Sequence, residues 1–413
     1  MKSTLIVLNY QREIPPFMQT QLFLASGYFE NIIYVTRDLE KRCPLIESLP
    51  NVEVLNAGNC RSSVTAVRSI GGSLLNGGIS TIFNSARQGR LSLAFVKKQL
   101  VYDCASWLLY KTASRAIDRY GEENCTVLSA WFMAEAYAAV LLKKQYPGLR
   151  TSSFAHSFEV QVDRDPDLDL RHLRDRHRYI DDIFFISGKV LSEYQSSYLL
   201  PMGIDQGNIH TYYLGCINDG VGSRCSSDGR TRILTCSSVN SIKRLPLLVD
   251  ALALIPEELQ PSVVWSHMGS GPDFDALKKY AQTVLGDCME WNLLGQKSNS
   301  EVMDYYTQEP VDLFINISSM EGLPVSIMES LSYGVPVIAT NVGGTSELVR
   351  DGQTGYLLSP KLTAANLADA IVDFIRMGSR AKAEMKSECR MLWHESFDAR
   401  ENAASLYSNL MED

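Results

Sequence analysis

Residues 315–358 read INISSMEGLPVSIMESLSYGVPVIATNVGGTSELVRDGQTGYLL, and the order of apolar and loop-forming residues along them decides the fold. An apolar run over 313–317 stops at Ser318-Ser319-Met320 and turns into Glu321-Gly322-Leu323-Pro324. Helical spacing then takes over through Val325, Met328, Leu331 and the small Ser332, which predicts a strand, a tight loop and a helix. Pro324 suits the first helical turn, where its missing N–H is no loss. Val335-Pro336-Val337-Ile338-Ala339 predicts a buried strand, and Gly343-Gly344-Thr345 with Glu347 predicts a second loop opening a second helix.

A helix that starts this way leaves several backbone N–H groups unpaired, and with the helix dipole they favour phosphate oxygens. Gly322, Leu323, Pro324 and Val325 are therefore a candidate phosphate cradle. Glu321 and Glu329 stand eight positions apart, a little over two turns at about 3.6 residues per turn, so both can lean toward one side of the helix mouth. Carboxylates beside an anion site need something neutral between them. Sugar hydroxyls fit, because an ionised carboxylate accepts two of them and has nothing to donate to phosphate.

Taken together, two glutamates separated by seven residues, the strand and loop GVPVIATNVGG and the segment ELVRDGQTGYL closely resemble the nucleotide-binding half of the retaining, nucleotide-sugar-dependent glycosyltransferases of family four. The resemblance implies an α/β chain of GT-B fold, two Rossmann-like parallel-sheet domains facing a cleft. It also implies a nucleotide diphosphate sugar as donor, a saccharide or lipid-linked saccharide as acceptor, retention at the anomeric carbon and no metal cofactor. Many relatives build bacterial surface polysaccharides such as lipopolysaccharide or capsule, at the cytoplasmic face of a membrane.

With 413 residues the chain exceeds what one core usually supports, roughly 250 to 300, so two domains are expected. Polar, Gly/Ser-rich residues 219–229 are the best linker, dividing an acceptor-side domain over 1–218 from a donor domain over 230–385. The tail looks helical, and the resemblance implies that 386–413 packs back toward the first domain. A composition 45% apolar and 21% charged is ordinary for a soluble protein. The net charge of −8 argues against nucleic acid as a partner. Nine cysteines without a CxxC pair favour reduced thiols over disulfides or zinc. No run reaches the ~20 apolar residues of a membrane span. Residues 127–142 carry Glu135 in their middle and read as a buried strand followed by an alanine-rich helix.

From the N-terminus, short apolar runs over 5–8, 32–35 and 52–55 have the rhythm of a βαβ sheet. Relatives carry a Gly-Gly loop after the first strand, near the donor diphosphate; here Asn9-Tyr10-Gln11-Arg12 leads to Pro15-Pro16. Residues 87–120 mix seven basic side chains with Leu93, Trp107 and Leu108, a pattern suited either to an anionic membrane surface or to an ordinary domain helix. A strand over 126–130 ends at Trp131, and one over 151–155 ends at His156, places where ligands sit in an open parallel sheet. His156 is the side chain best able to exchange a proton near neutral pH. His156-Ser157-Phe158-Glu159 with Arg164 is similar to the family's H-G-[FY]-D...R segment, with Ser157 in place of Gly and Glu159 in place of Asp. Residues 163–178 carry nearly cancelling charges and read as exposed; the glycine and closing glutamate of a calcium loop are absent, so no metal site is expected.

After a strand over 231–236 comes Ser237-Ser238-Val239-Asn240-Ser241-Ile242-Lys243-Arg244. Lys243 matches the lysine with which relatives meet the donor diphosphate, Ser238 stands where Arg is common, and Arg244 stands where Gly is common. A cationic pair at a helix start opposes the dipole, which a bound anion would explain. A strand over 263–268 leads to Gly269-Ser270-Gly271-Pro272, a loop that in relatives touches the nucleotide; it is not the GxGxxG of a nicotinamide site. The resemblance assigns donor-sugar hydroxyls to Glu321, the ribose diol to Glu329 and the reacting sugar to His156. A GT-B epimerase or phosphorylase, and a non-catalytic partner subunit, remain alternatives to a hexosyltransferase.

Overall fold

A computed structural model describes residues 1–37, 44–59, 93–160, 172–204 and 206–412. The chain divides into two compact units, Met1–Leu214 with Arg400–Asp413, and Gly215–Ala399.

The first unit is built on seven parallel strands: β1 (Thr4–Asn9), β2 (Asn31–Thr36), β3 (Val52–Asn56), β4 (Cys125–Ser129), β5 (Arg150–Ala155), β6 (Asp182–Phe185) and β7 (Ile209–Thr211). Their order is β3-β2-β1-β4-β5-β6-β7. Every residue of β1 and β4 is buried, as expected of strands covered by helices on both faces. On one face the helix Ala134–Gln145 buries Ala136, Ala138 and Ala139 beside Leu109 and Ala113 of the helix Leu93–Tyr120, the small side chains letting the backbones approach. The other face is closed by Met18 and Leu22 from the helix Pro16–Ala25 and by Ala403, Leu406, Tyr407 and Leu410 from Ala399–Met411.

The second unit holds six parallel strands: β8 (Thr231–Cys236), β9 (Val263–Met268), β10 (Glu290–Leu293), β11 (Leu313–Asn316), β12 (Val337–Thr340) and β13 (Gly355–Leu358). They lie in the order β10-β9-β8-β11-β12-β13. Strand order reverses between β8 and β11, so the loops leaving those two strands flank the crevice where ligands bind in open α/β sheets.

Four expectations need correction. The buried strand read over 335–339 begins later, at Val337, because Gly334 at φ 71 and the Val335 N–H, bonded to the Ser330 carbonyl, close the preceding helix first. Residues 219–229 are part of the second unit rather than a free tether: Ser223 bonds the Val311 carbonyl and Ser226 bonds Asp312. The tail does not turn back at 386, which falls inside the helix Ser379–Leu392; the first unit takes up the chain from Arg400. Residues 172–178 also differ from the exposed segment expected, since Arg176 and His177 are buried in the helix Leu173–Tyr179. Residues 163–171 lie outside the described residues.

Candidate functional site

β8 delivers the chain to Asn240, whose side chain accepts the Ile242 N–H and caps a single 3-10 turn, Ser241–Lys243. That turn aims Lys243 across the switch point. β11 delivers Asn316, and the following loop brings Glu321 to meet it. The Lys243 Nζ lies 2.6 Å from Glu321 Oε1, and Asn316 Nδ2 donates to the same oxygen at 3.3 Å. A cation from one side of the crevice and a carboxylate from the other thus share a bond at its mouth.

Glu321 sits in a loop secured from two sides. The Gly344 N–H donates to the Gly322 carbonyl at 2.6 Å, and a Cβ on Gly343, whose φ is 53, would collide with the Glu321 carbonyl. The helix Val325–Ser332 starts behind this loop with Pro324 at its N-cap, one position earlier than expected, and with no side-chain cap. The Ile327 N–H turns back to the Pro324 carbonyl at 3.1 Å, so the N–H groups of Val325 and Ser326 ahead of it are the ones a phosphate could take. Leu323 is buried beneath the loop, whereas Val325 faces outward at 39% exposure; the buried face is Ile327, Met328 and Leu331.

Glu329 lies on that buried face at 6% exposure. Burial pushes its carboxyl up to about 7, while the Asn299 amide, donating to Oε1 at 2.7 Å, pulls the other way. Cys236, ending β8, reports the neighbourhood. Its thiol is pushed up to about 12, by burial first and then by the Glu329 charge, with Lys243 opposing. Lys243, Glu321 and Glu329 therefore gather around the end of β8.

Arg244 has a structural part that its charge does not announce. It adopts φ 50, the left-handed conformation for which glycine is the usual choice, and its guanidinium donates to the carbonyls of Ile317, Ser318 and Pro360 at 2.6, 3.1 and 3.2 Å. Three of its five N–H donors thus tie the loop after β11 to the start of the helix Leu245–Ala253, and the guanidinium keeps its charge beside that loop. Ser238 is exposed and accepts from Asn240 Nδ2 at 2.9 Å. The Gly269 N–H is bonded to the Gly295 carbonyl at 2.8 Å, and its φ of 134 lets the loop pass against the Ser237 carbonyl, where a Cβ would not fit.

In the first unit, His156 follows β5 at 7% exposure, its ring Nδ1 3.1 Å and its backbone N 2.6 Å from Glu159 Oε2. The imidazole packs against Trp131 and Phe17, with ring centroids 4.5 and 5.0 Å away. Trp131 Nε1 in turn donates to Asn9 Oδ1 at 2.9 Å. The first loop, which lacks glycines, is held by a buried acid: the Tyr10 N–H donates to Glu135 Oε1 at 2.8 Å. Burial pushes Glu135 up to about 7, the Tyr10 bond opposing and the Glu159 charge adding to the rise. Arg164 lies outside the described residues. Among the described residues no group of three or more His, Cys, Asp or Glu side chains is placed to hold a metal ion.

Sequence reasoning passed over Asn316 and Asn299, the amides that serve the two glutamates, and Phe17 and Glu135 behind His156 and Tyr10. Only Asn299 carried a usable signal, the Ser298-x-x-Glu301 capping box that places it at the first position of a helix.

Two doubly wound parallel units define the GT-B class of fold. A solved Anabaena protein, HepE in complex with UDP-glucose, superposes with a TM-score of 0.67 over 98% of this chain and 99% of its own at 15% identity. The lipopolysaccharide outer core galactosyltransferase WaaB superposes equally well, with a TM-score of 0.67 over 99% of this chain and 100% of its own at 15% identity. Residues 225–389, which carry the whole switch-point site, match the family described as glycosyl transferases group 1. Among curated relatives, the amylovoran biosynthesis glycosyltransferase AmsK of Erwinia amylovora is 24% identical over 60% of this chain and 64% of its own length. The N-acetyl-alpha-D-glucosaminyl L-malate synthase of Bacillus anthracis is 26% identical over 40% of this chain and 43% of its own. The chain thus spans between about a third and two thirds of the length of the curated relatives it matches first.

Proposed function

We propose that this chain transfers a sugar from a nucleoside diphosphate sugar to a hydroxyl of a saccharide or lipid-linked saccharide, with retention at the anomeric carbon, in bacterial surface polysaccharide synthesis. The observation that carries the reading is the Lys243–Glu321 pair at the switch point of the unit that matches the glycosyl transferases group 1 family. Without donor, Lys243 and Glu321 neutralise each other. An arriving diphosphate draws Lys243 toward its oxygens, and Glu321 then accepts hydroxyls of the donor sugar in exchange for the ammonium. Lys243 and the N–H groups at the start of Val325–Ser332 stabilise the charge that grows as the nucleotide departs, each worth a few kcal/mol of barrier, and no metal is invoked. Glu329 accepts the ribose diol. On the first unit, His156 and Trp131 offer an imidazole and an aromatic face to a saccharide.

Helix Leu93–Tyr120 exposes Lys97, Lys98, Lys111, Arg115 and Arg119, with Trp107 half-buried among them, which supports contact with an anionic membrane at the cytoplasmic face. No helix among the described residues is long and apolar enough to cross a membrane. The deciding experiment screens nucleotide sugars for hydrolysis and for transfer to saccharide acceptors, with and without chelator, and reads the anomeric configuration of the product by NMR. An inverted product removes retention, and no turnover of any nucleotide sugar removes the transferase.

A further inference from the structure

Asn299 opens the helix Asn299–Gln308 directly behind a capping box, in which the Ser298 hydroxyl accepts the Glu301 N–H and the Glu301 carboxylate accepts the Ser298 N–H. Lys297 adds an ion pair to Glu301 at 3.2 Å. The cap fixes the backbone of Asn299, and its side chain reaches from that crossover to the next one, where Nδ2 donates to Glu329 Oε1 at 2.7 Å. Among the described residues this is the hydrogen bond that reaches the Glu329 carboxylate. A carboxylate this buried holds its charge only where a donor meets it.

We propose that Asn299 is a positioning residue for the nucleotide end of the donor: its amide, bonded to Glu329 Oε1, holds that carboxyl oriented toward the two hydroxyls of the nucleoside ribose and favours its charged form. This rests on the nucleotide-sugar reading above and adds to it the residue that sets the affinity for the nucleotide and its dependence on pH.

The groups facing Glu329 from every side leave the carboxyl to titrate alone. Cys236 stands at the end of β8, with Lys243 acting on the same thiol from the turn beyond it. Tyr306 faces it from the helix that carries Asn299, Tyr333 from the end of its own helix, and Cys216 from the start of the unit. Asp304 and Asp219 act on Tyr333 from farther out. Burial pushes Cys236 and Tyr333 up to about 12, and raises Cys216 and Tyr306 as well. Of the thiols, phenols and carboxyl lining this space, the carboxyl of Glu329 is the one that changes charge near neutral pH.

The test is calorimetric binding of UDP-, GDP- and ADP-glucose between about pH 5.5 and pH 9, carrying forward whichever binds tightest; their diphosphates stay fully ionised across that window. With the wild-type chain affinity is expected to rise with pH through about 7. Asn299→Ala is expected to bind about tenfold more weakly at pH 7, a charge-assisted hydrogen bond having been lost, and to recover most of that loss by pH 9, where Glu329 ionises unaided. Asn299→Asp, which sets one carboxylate against another, is expected to be weaker still at pH 7. Glu329→Gln should bind weakly with no pH dependence. If Asn299→Ala follows the wild-type profile, or is weaker by one factor at every pH, the inference is overturned while the nucleotide-sugar reading stands. If the wild-type chain binds none of the three, the reading and the inference fall together.

Discussion

Glu321 is the residue on which the transfer reading turns, because its Oε1 already collects an ammonium and an amide before any donor arrives. Glu321→Gln replaces one acceptor oxygen by a donor and removes the charge, so the side chain loses its ion pair with Lys243 and can no longer offer one oxygen to each of two hydroxyls. Transfer is expected to drop by at least about a hundredfold, with circular dichroism unchanged; near-normal turnover would remove Glu321 from the site. Glu135 makes a second prediction, about stability. Its carboxyl is raised from 4.5 to about 7 by burial, so the folded chain favours the protonated acid. The stabilisation this gives is complete below about pH 4.5 and is lost as pH rises through 7. Glu329 shifts in the same direction. Thermal stability should therefore be greater at pH 5 than at pH 8, and Glu135→Gln, whose amide oxygen still accepts the Tyr10 N–H, should flatten that slope by on the order of 2 kcal/mol. A melting profile with the same slope in wild type and variant would contradict this. Arg244 shows what single residues hide in a sequence. Its charge marks it as a candidate anion ligand, and nothing in the residue type shows that its backbone takes a glycine-like φ of 50 or that three of its donors go to carbonyls. A positive φ leaves no mark on residue type when a non-glycine side chain makes up for the strain with hydrogen bonds.

At the scale of elements, the switch-point site depends on two loops that touch. Gly343 leaves β12 at φ 53 with the Glu321 carbonyl where a Cβ would go, and the Gly344 N–H closes on Gly322. Gly343→Ala forces these loops apart, so it is expected to lower transfer at least about tenfold and to cost about 1–3 kcal/mol of stability. Unchanged kcat/KM in that variant would show that the loops have slack. The elements themselves were readable to different degrees. β8 and β9 fall on the ranges expected, since each is an apolar run bounded by turn residues. β12 was misplaced by its start, because Val335 has the apolar character of a strand residue but serves the preceding helix end. The Glu–Glu spacing exposed the paired carboxylates, yet Asn299 and Asn316 were hidden: an asparagine at a helix start or a strand end looks like a cap or a turn, and only the fold shows which distant carboxylate it meets.

At the scale of the whole molecule, chain order and compact units do not coincide. The second unit interrupts the first, whose last helix arrives only at Arg400. Length and composition could announce two units, but not that the final residues belong to the first core. Tyr407 shows how firmly they do. It is fully buried, packs against Tyr28 and Phe29, and donates its hydroxyl to the Gln21 carbonyl at 2.9 Å. Tyr407→Ala removes an aromatic ring from this core, a change that costs about 3–5 kcal/mol, all of it in the first unit. The second unit keeps its own separate core around Trp265, Leu248 and Ile315. Calorimetry should then show the transition of the first unit displaced downward in Tyr407→Ala. A second transition should still climb when the nucleoside diphosphate sugar is added, since a ligand stabilises only the unit that binds it. Were the variant to lose the ligand-dependent transition along with the other, the two units would melt as one, and the nucleotide site would depend on the closing helix as much as on its own sheet.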